Sequence, residues 1–306
     1  MSRFCTNPLV AAVFVFLTPP NVLYSQDSIE PVGEIETVKE GFAFTEGPAW
    51  DAKANALYFT DIPNATIHRL SDDGVISVFT DDSKHANGLL IVPDGRMLAC
   101  QMDGQMVQYD LKTAEFKPLA ESYDGKRFNA PNDLITDKEG GVYFTDPLFR
   151  APQPLPQGVQ AVYYIGAEGK VSRVTEDLPA PNGIGLSPDG TELYVIPSRQ
   201  AEMLVYDVSG PGELSNGRTF CRLTQPEGKD DTGGDGMAMD VRGNLYITTN
   251  LGVEIFSPAG KKLGLVKFPQ QPANVTFGGE DRKTMYVTAR TGLYRVKMPV
   301  AGLPAN

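Results

Sequence analysis

The chain has 306 residues, 38 acidic against 27 basic side chains for a formal net charge of −11, and only two histidines and three cysteines. A zinc site wants about three or four Cys or His ligands, so that chemistry is excluded, and any Ser-His-Asp or Cys-His apparatus would have to use His68 or His85. The acidic balance disfavours nucleic acid and anionic lipid as partners, while 31 glycines and 24 prolines point to many turns between short strands.

Residues 1–25 have the parts of a secretory signal peptide: a positive Arg3, an apolar run at 9–17 (LVAAVFVFL), and polar turn residues leading to Ser25 as the small residue before cleavage. That apolar run is too short to span a bilayer, so no stable membrane insertion is expected. The expected mature protein is one domain over residues 26–306, exported to the periplasm or the extracellular space. Cleavage removes Cys5 and leaves Cys100 and Cys221. An oxidising compartment permits a bridge between them, but two cysteines in separate apolar strands are more often buried free thiols.

Residues 33–39 (GEIETVK) read as a strand, and then one pattern recurs six times. A small polar or acidic residue opens a short apolar segment, a turn follows, and a strand rich in Tyr and Thr begins ten to twelve residues after the opening residue. The copies open at Glu46 (followed by GPAWDAKANALYFTD), Asn87 (GLLIVPDGRMLACQ), Asn132 (DLITDKEGGVYFTD), Asn182 (GIGLSPDGTELYVI), Asp235 (GMAMDVRGNLYITT) and Asn274 (VTFGGEDRKTMYVTA). These openings lie 41, 45, 50, 53 and 39 residues apart, the length of one propeller blade. In the first copy four strands are predicted at residues 47–51, 57–60, 66–70 and 75–80. The sixth copy runs out one strand short, after residues 293–297, and residues 33–39 supply the missing edge. The expected fold is all-β, a six-bladed β-propeller whose last blade is closed by an N-terminal strand. A sandwich or barrel has no reason to repeat at this length, and no capped amphipathic stretch of helix length occurs. Trp50, on an inner strand, is expected to pack between blades, and His68, on a third strand, to be structural.

In a propeller the inner strands line a central channel and their N-terminal ends meet around its axis. The opening residues Glu46, Asn87, Asn132, Asn182, Asp235 and Asn274 all offer side-chain oxygen, with no imidazole or thiolate among them. Two carboxylates with several amide carbonyls make a hard-oxygen set of the kind Ca²⁺ accepts; another divalent cation remains open, although Mg²⁺ demands stricter geometry. Singly, Asn or Asp before Gly is an ordinary turn residue. Six in one register are not explained that way, although Asn87 and Asn274 also suit the channel rim.

These residues carry a resemblance. The chain resembles the regucalcin/gluconolactonase family of six-bladed, calcium-dependent lactonases over essentially its whole mature length, through FTEGPAW around Glu46, RFNAPNDL with Asn132, the FTDP that follows, LPAPNGIGLSPDG with Asn182, and GGDGMAMD with Asp235. The resemblance implies that Glu46, Asn132, Asn182 and Asp235 face the catalytic metal. It also implies substrate-binding roles for Arg127 and, in the same motif, Asn129 and Asn132.

Opening a lactone needs a polarised carbonyl, an activated water and support for an oxyanion. Asp235 is the expected acceptor of the water's proton; direct attack by its carboxylate and a role as ligand alone both remain open. Residues 147–160 (PLFRAPQPLPQGVQ) interrupt the third unit, and a loop of this length is expected to wall the pocket, with Phe149 and Arg150 as contacts. His85, two residues before Asn87, falls near the channel mouth, where a proton shuttle and a plain loop histidine are alternatives. Three functions compete: a calcium-dependent hydrolase of a small-molecule sugar lactone, a promiscuous esterase or phosphotriesterase on the same metal, and a non-catalytic calcium-stabilised binding propeller.

Overall fold

The computed structural model describes Met1, residues 28–176 and residues 178–304. The targeting segment expected over residues 1–25, Cys5 included, lies outside the described residues apart from Met1. Six four-stranded antiparallel sheets follow one another as the blades of a β-propeller. Five are built from four consecutive strands, and the sixth takes its outer strand, Val32–Glu40, from the N-terminus, paired with Gly292–Lys297. That strand is one residue longer at each end than the predicted 33–39. In the first blade the strands are Thr45–Asp51, Ala56–Asp61, Thr66–Leu70 and Ile76–Thr80. The only helical element among the described residues is the 3-10 turn Ile62–Asn64, where Pro63 supplies a preset φ.

Burial follows position in the blade. The second strands Ala56–Asp61, Val142–Asp146, Leu245–Thr249 and Thr284–Ala289 are buried throughout, because a neighbouring sheet covers each face, so they read as continuous apolar and aromatic runs. The outer strand Glu213–Arg222 is polar and mostly exposed. Trp50 stacks on Tyr286, with ring centroids 5.7 Å apart, and so joins the first blade to the sixth. His68 stacks on Phe59 at 5.2 Å, and burial holds its imidazole below the usual range. Cys100 and Cys221 are separate buried free thiols.

The inner strands approach one another very closely at their upper ends. A Cβ on Gly47 would stand 1.9 Å from the carbonyl oxygen of Asn87, and one on Gly183 would stand 2.6 Å from that of Asp235. The glycine after an opening residue therefore has a packing cause, to which Gly47 adds a left-handed φ of +47°. Gly88 and Gly183 donate their N–H groups to the carbonyls of Asn132 and Asp235 at 2.8 and 2.9 Å. Thr60 and Thr145, from the Tyr- and Thr-rich second strands, donate hydroxyls to the carbonyls of Asn87 and Asn182 at 3.1 and 2.8 Å. The backbone of the ring is thus clamped sideways from blade to blade. Pairing registers shift between Glu46 and Ala49, Ala86 and Leu89, Pro181 and Ile184, and Pro272 and Asn274. Bulges of this kind re-aim a side chain, here at the level where the opening residues meet the axis.

Candidate metal centre and active site

Contacts across the axis show that the opening side chains converge. Asn182 Nδ2 donates to Asp235 Oδ1 at 2.6 Å and to Ser198 Oγ at 3.0 Å. Asn274, in the sixth blade, donates Nδ2 to Asp133 Oδ2 in the third blade at 3.3 Å. Glu46 Oε2 accepts the Gly47 N–H at 2.8 Å. Loss of hydration, then the nearby charges of Asp235 and Asp133, hold the Glu46 carboxyl well above the usual carboxylate range. Burial likewise raises Asp235, against the Asn182 hydrogen bond and the field of Arg290, which lower it. Asn132 is buried at the same level.

Asp133 is a third inward carboxylate, absent from the sequence-based set. It accepts the Leu134 N–H at 3.0 Å, and burial lifts its carboxyl to about 7. A signal was present: Asp133 stands where four of the six copies have the glycine that follows the opening residue. None of these three carboxylates forms an ion pair with a basic side chain among the described residues.

Two observations show that the donor set fits a divalent cation. Asn182 Oδ1 is the one buried side-chain polar atom among the described residues that has no hydrogen-bond partner, a state that normally demands an unseen ion or water. Around it lie carboxylates without a compensating cation. The described residues hold no cluster of three or more His, Cys, Asp and Glu placed to share a metal; the residues that would hold an ion are those the resemblance implies, Glu46 and Asp235 with the amide oxygens of Asn132 and Asn182.

The remaining predicted residues separate. Asn274 spends its amide on Asp133 and on the Val275 N–H, and Asn87 turns its amide toward Met102 Sδ at 3.9 Å; both are as buried as Glu46, Asn132 and Asn182. His85 Nδ1 lies 3.0 Å from Asp103 Oδ1 on the half-exposed edge of the mouth. Arg127 is exposed, with Nε on the Phe128 carbonyl at 2.9 Å and Nη2 on those of Asn129 and Met102 at 3.0 and 3.4 Å. Asn129 differs from the place the resemblance implies. It is fully buried, donates Nδ2 to the carbonyls of Asp146 and Val159, and accepts the Gln157 N–H at 3.1 Å, so its amide fastens the 147–160 loop and is not presented to a substrate. Gln157 completes that fastening by donating Nε2 to the carbonyls of Tyr123, Lys126 and Arg127. Asp146, from the FTDP motif, accepts the N–H groups of Asn129 and Ala130, both at 2.8 Å. The loop brings Phe149 onto an apolar patch with Phe44, Ile62, Met102 and Ala130, while Arg150 is exposed.

Residues 44–291 match the family described as SMP-30/Gluconolactonase/LRE-like region. The chain belongs to this family. It is 32% identical over 293 residues to a gluconolactonase of Zymomonas mobilis subsp. mobilis, covering 88% of this chain and 82% of that one. A solved gluconolactonase of Xanthomonas campestris superposes with a TM-score of 0.80 at 26% identity, covering 89% of this chain and 95% of the other. A solved calcium-binding regucalcin of Agrobacterium tumefaciens shares the fold, with a TM-score of 0.76 at 21% identity over 88% of this chain and 95% of that one. The family member in hand is a lactone hydrolase, a carboxylic ester hydrolase acting on small molecules.

Proposed function

We propose that the protein is an exported, calcium-dependent lactonase that opens a sugar lactone such as gluconolactone. The observation that carries the reading is the partnerless Asn182 oxygen among buried carboxylates and amides at the channel mouth. Export is supported by the Arg3 and 9–17 pattern at the N-terminus. Calcium is favoured because every donor is a hard oxygen and two are anionic. When bound, such an ion supplies polarisation of the lactone carbonyl and offsets charge on its oxygen.

The chain's own residues do the rest. Asn182 fixes Asp235 through Oδ1, which leaves Oδ2 to accept a proton from the attacking water. The water oxygen bonds to the carbonyl carbon, the ring C–O bond breaks, and the proton passes to the departing alkoxide to give the hydroxy acid. Arg127, braced by three carbonyls, keeps Nη1 for a substrate oxygen. The Phe149 patch excludes water from one side of the mouth.

Proton release from a lactone panel tests the reading, with calcium, with chelator, and in Asp235→Asn. Wild type should hydrolyse at least one sugar lactone only with the cation, and the variant should lose about 100-fold in kcat/KM, a normal loss for a general base. Absence of hydrolysis of every lactone under all divalent cations contradicts it.

A further inference from the structure

Five of the described arginines are neutralised by carboxylates, whereas Arg69, Arg150, Arg199, Arg242 and Arg282 form no ion pair among the described residues. Arg96 pairs with Asp94, Arg173 with Glu176, Arg218 with Glu192 and Asp207, Arg222 with Glu202, and Arg295 with Glu36. Arg127 and Arg290, at the channel mouth, form no ion pair among the described residues, although the protein carries a net charge of −11. Both are nevertheless held in place. Arg290 lies over the Phe44 ring, with Cζ 5.5 Å from its centroid, and donates Nη2 to Gln271 Oε1, while Gln271 donates Nε2 to Asn250 Oδ1. Arg127 is fixed by backbone carbonyls alone and lies against Gly104, where a Cβ would fall 2.3 Å from Nε. The two flank one apolar cluster, because Phe44 under Arg290 and the buried Met102, whose carbonyl receives Arg127, both belong to it.

Neutral acceptors orient a guanidinium without cancelling its charge. A neutral sugar lactone offers hydroxyls and a carbonyl, for which amide side chains would serve as well. Two oriented forks with uncancelled charge match a planar carboxylate or a phosphate. Their charges are felt at longer range by Asp146 and Asp235, yet neither arginine is in contact with a carboxylate. We infer that the lactone opened at this site carries an anionic group, a carboxylate or a phosphate, held between Arg127 and Arg290 over the Phe44 and Met102 patch. The inference rests on the lactonase reading above.

The test compares three lactones on the calcium-loaded mature chain: neutral gluconolactone, an aldaric acid monolactone with a free carboxylate, and a phosphorylated gluconolactone. At least one anionic lactone should exceed the neutral one by about tenfold or more in kcat/KM, through a lower KM, and the faster of the two names the group. Arg290→Gln should erase most of that preference by raising KM for the anionic lactone about tenfold, with a much smaller change for the neutral one, and Arg290→Lys should restore part of it. A neutral lactone hydrolysed as fast as both anionic ones, with a ratio that Arg290→Gln does not move, overturns the inference and leaves the lactonase reading standing. Hydrolysis of none of the three and of no other lactone overturns both.

Discussion

The two ends of the same six inner strands are built for opposite ends. At the upper end the strands are bulged, clamped blade to blade by glycine N–H and threonine hydroxyl groups, and filled with carboxylates and amides that leave an oxygen without a partner. Below it the channel opens into a cavity of about 360 Å³ whose walls include Leu89, Ile91, Leu134, Ile184, Met237 and Phe277. Its foot is met by Leu303 and Pro304, and the C-terminal segment is stitched there by Leu303 N–H to the Met239 carbonyl at 2.8 Å. Uncancelled polarity costs stability and serves function, whereas apolar burial stabilises and is chemically inert. The comparison places the chemistry at one end and much of the binding together of the blades at the other.

Three substitutions or conditions break or sharpen that contrast. The largest effect is expected at the lower end. Phe277, buried and edge-on to Tyr246 at 4.9 Å, should lose about 3–5 kcal/mol of stability as Phe277→Ala, while the folded fraction still opens lactones. Denaturant unfolding together with rates per folded molecule checks this, and a loss of rate without a loss of stability would invert the contrast. At the upper end Asn182→Ala removes the partnerless oxygen and the tether on Asp235. Calcium affinity measured calorimetrically should fall by about tenfold or more, and an unchanged affinity would remove Asn182 from the cation site.

The smallest effect concerns pH in the cation-free protein. Burial lifts the carboxyls of Asp133 and Asp146 to about 7. In the unfolded chain they ionise at about 4. The folded state therefore holds more protons between those values, and the contribution of these groups to stability is lost as pH rises from about 4 to about 7. Asp189, lowered to about 2 by the Ser187 and Thr191 hydrogen bonds, acts in the opposite sense, but its gain is complete by about pH 4. Melting temperatures with chelator should fall across the upper window, and calcium should flatten the slope. A rise across that window in the cation-free protein would contradict the assignment.

Much of this was legible in the chain because it is local and repeated. One opening residue, one turn and one Tyr- and Thr-rich strand per blade yielded the blade count and the closure by an N-terminal strand. What escaped depends on contacts between distant segments. Asp133 matters through Asn274, 141 residues away. Arg290 becomes notable only when Phe44 lies beneath it. Asn129 reads like another site residue until Gln157 and Val159 are seen to occupy its amide. The packing role of the glycines after the opening residues is invisible in the chain, because the neighbouring carbonyl that excludes a Cβ lies in another blade.

The most direct measurement titrates calcium into the chelated mature protein while following lactone hydrolysis in the same samples. The account predicts saturable recovery of activity from near zero, with the midpoint equal to that of calorimetric binding and shifted to higher calcium in Glu46→Gln. Full activity in excess chelator, or calcium binding that leaves the rate unmoved, would contradict it.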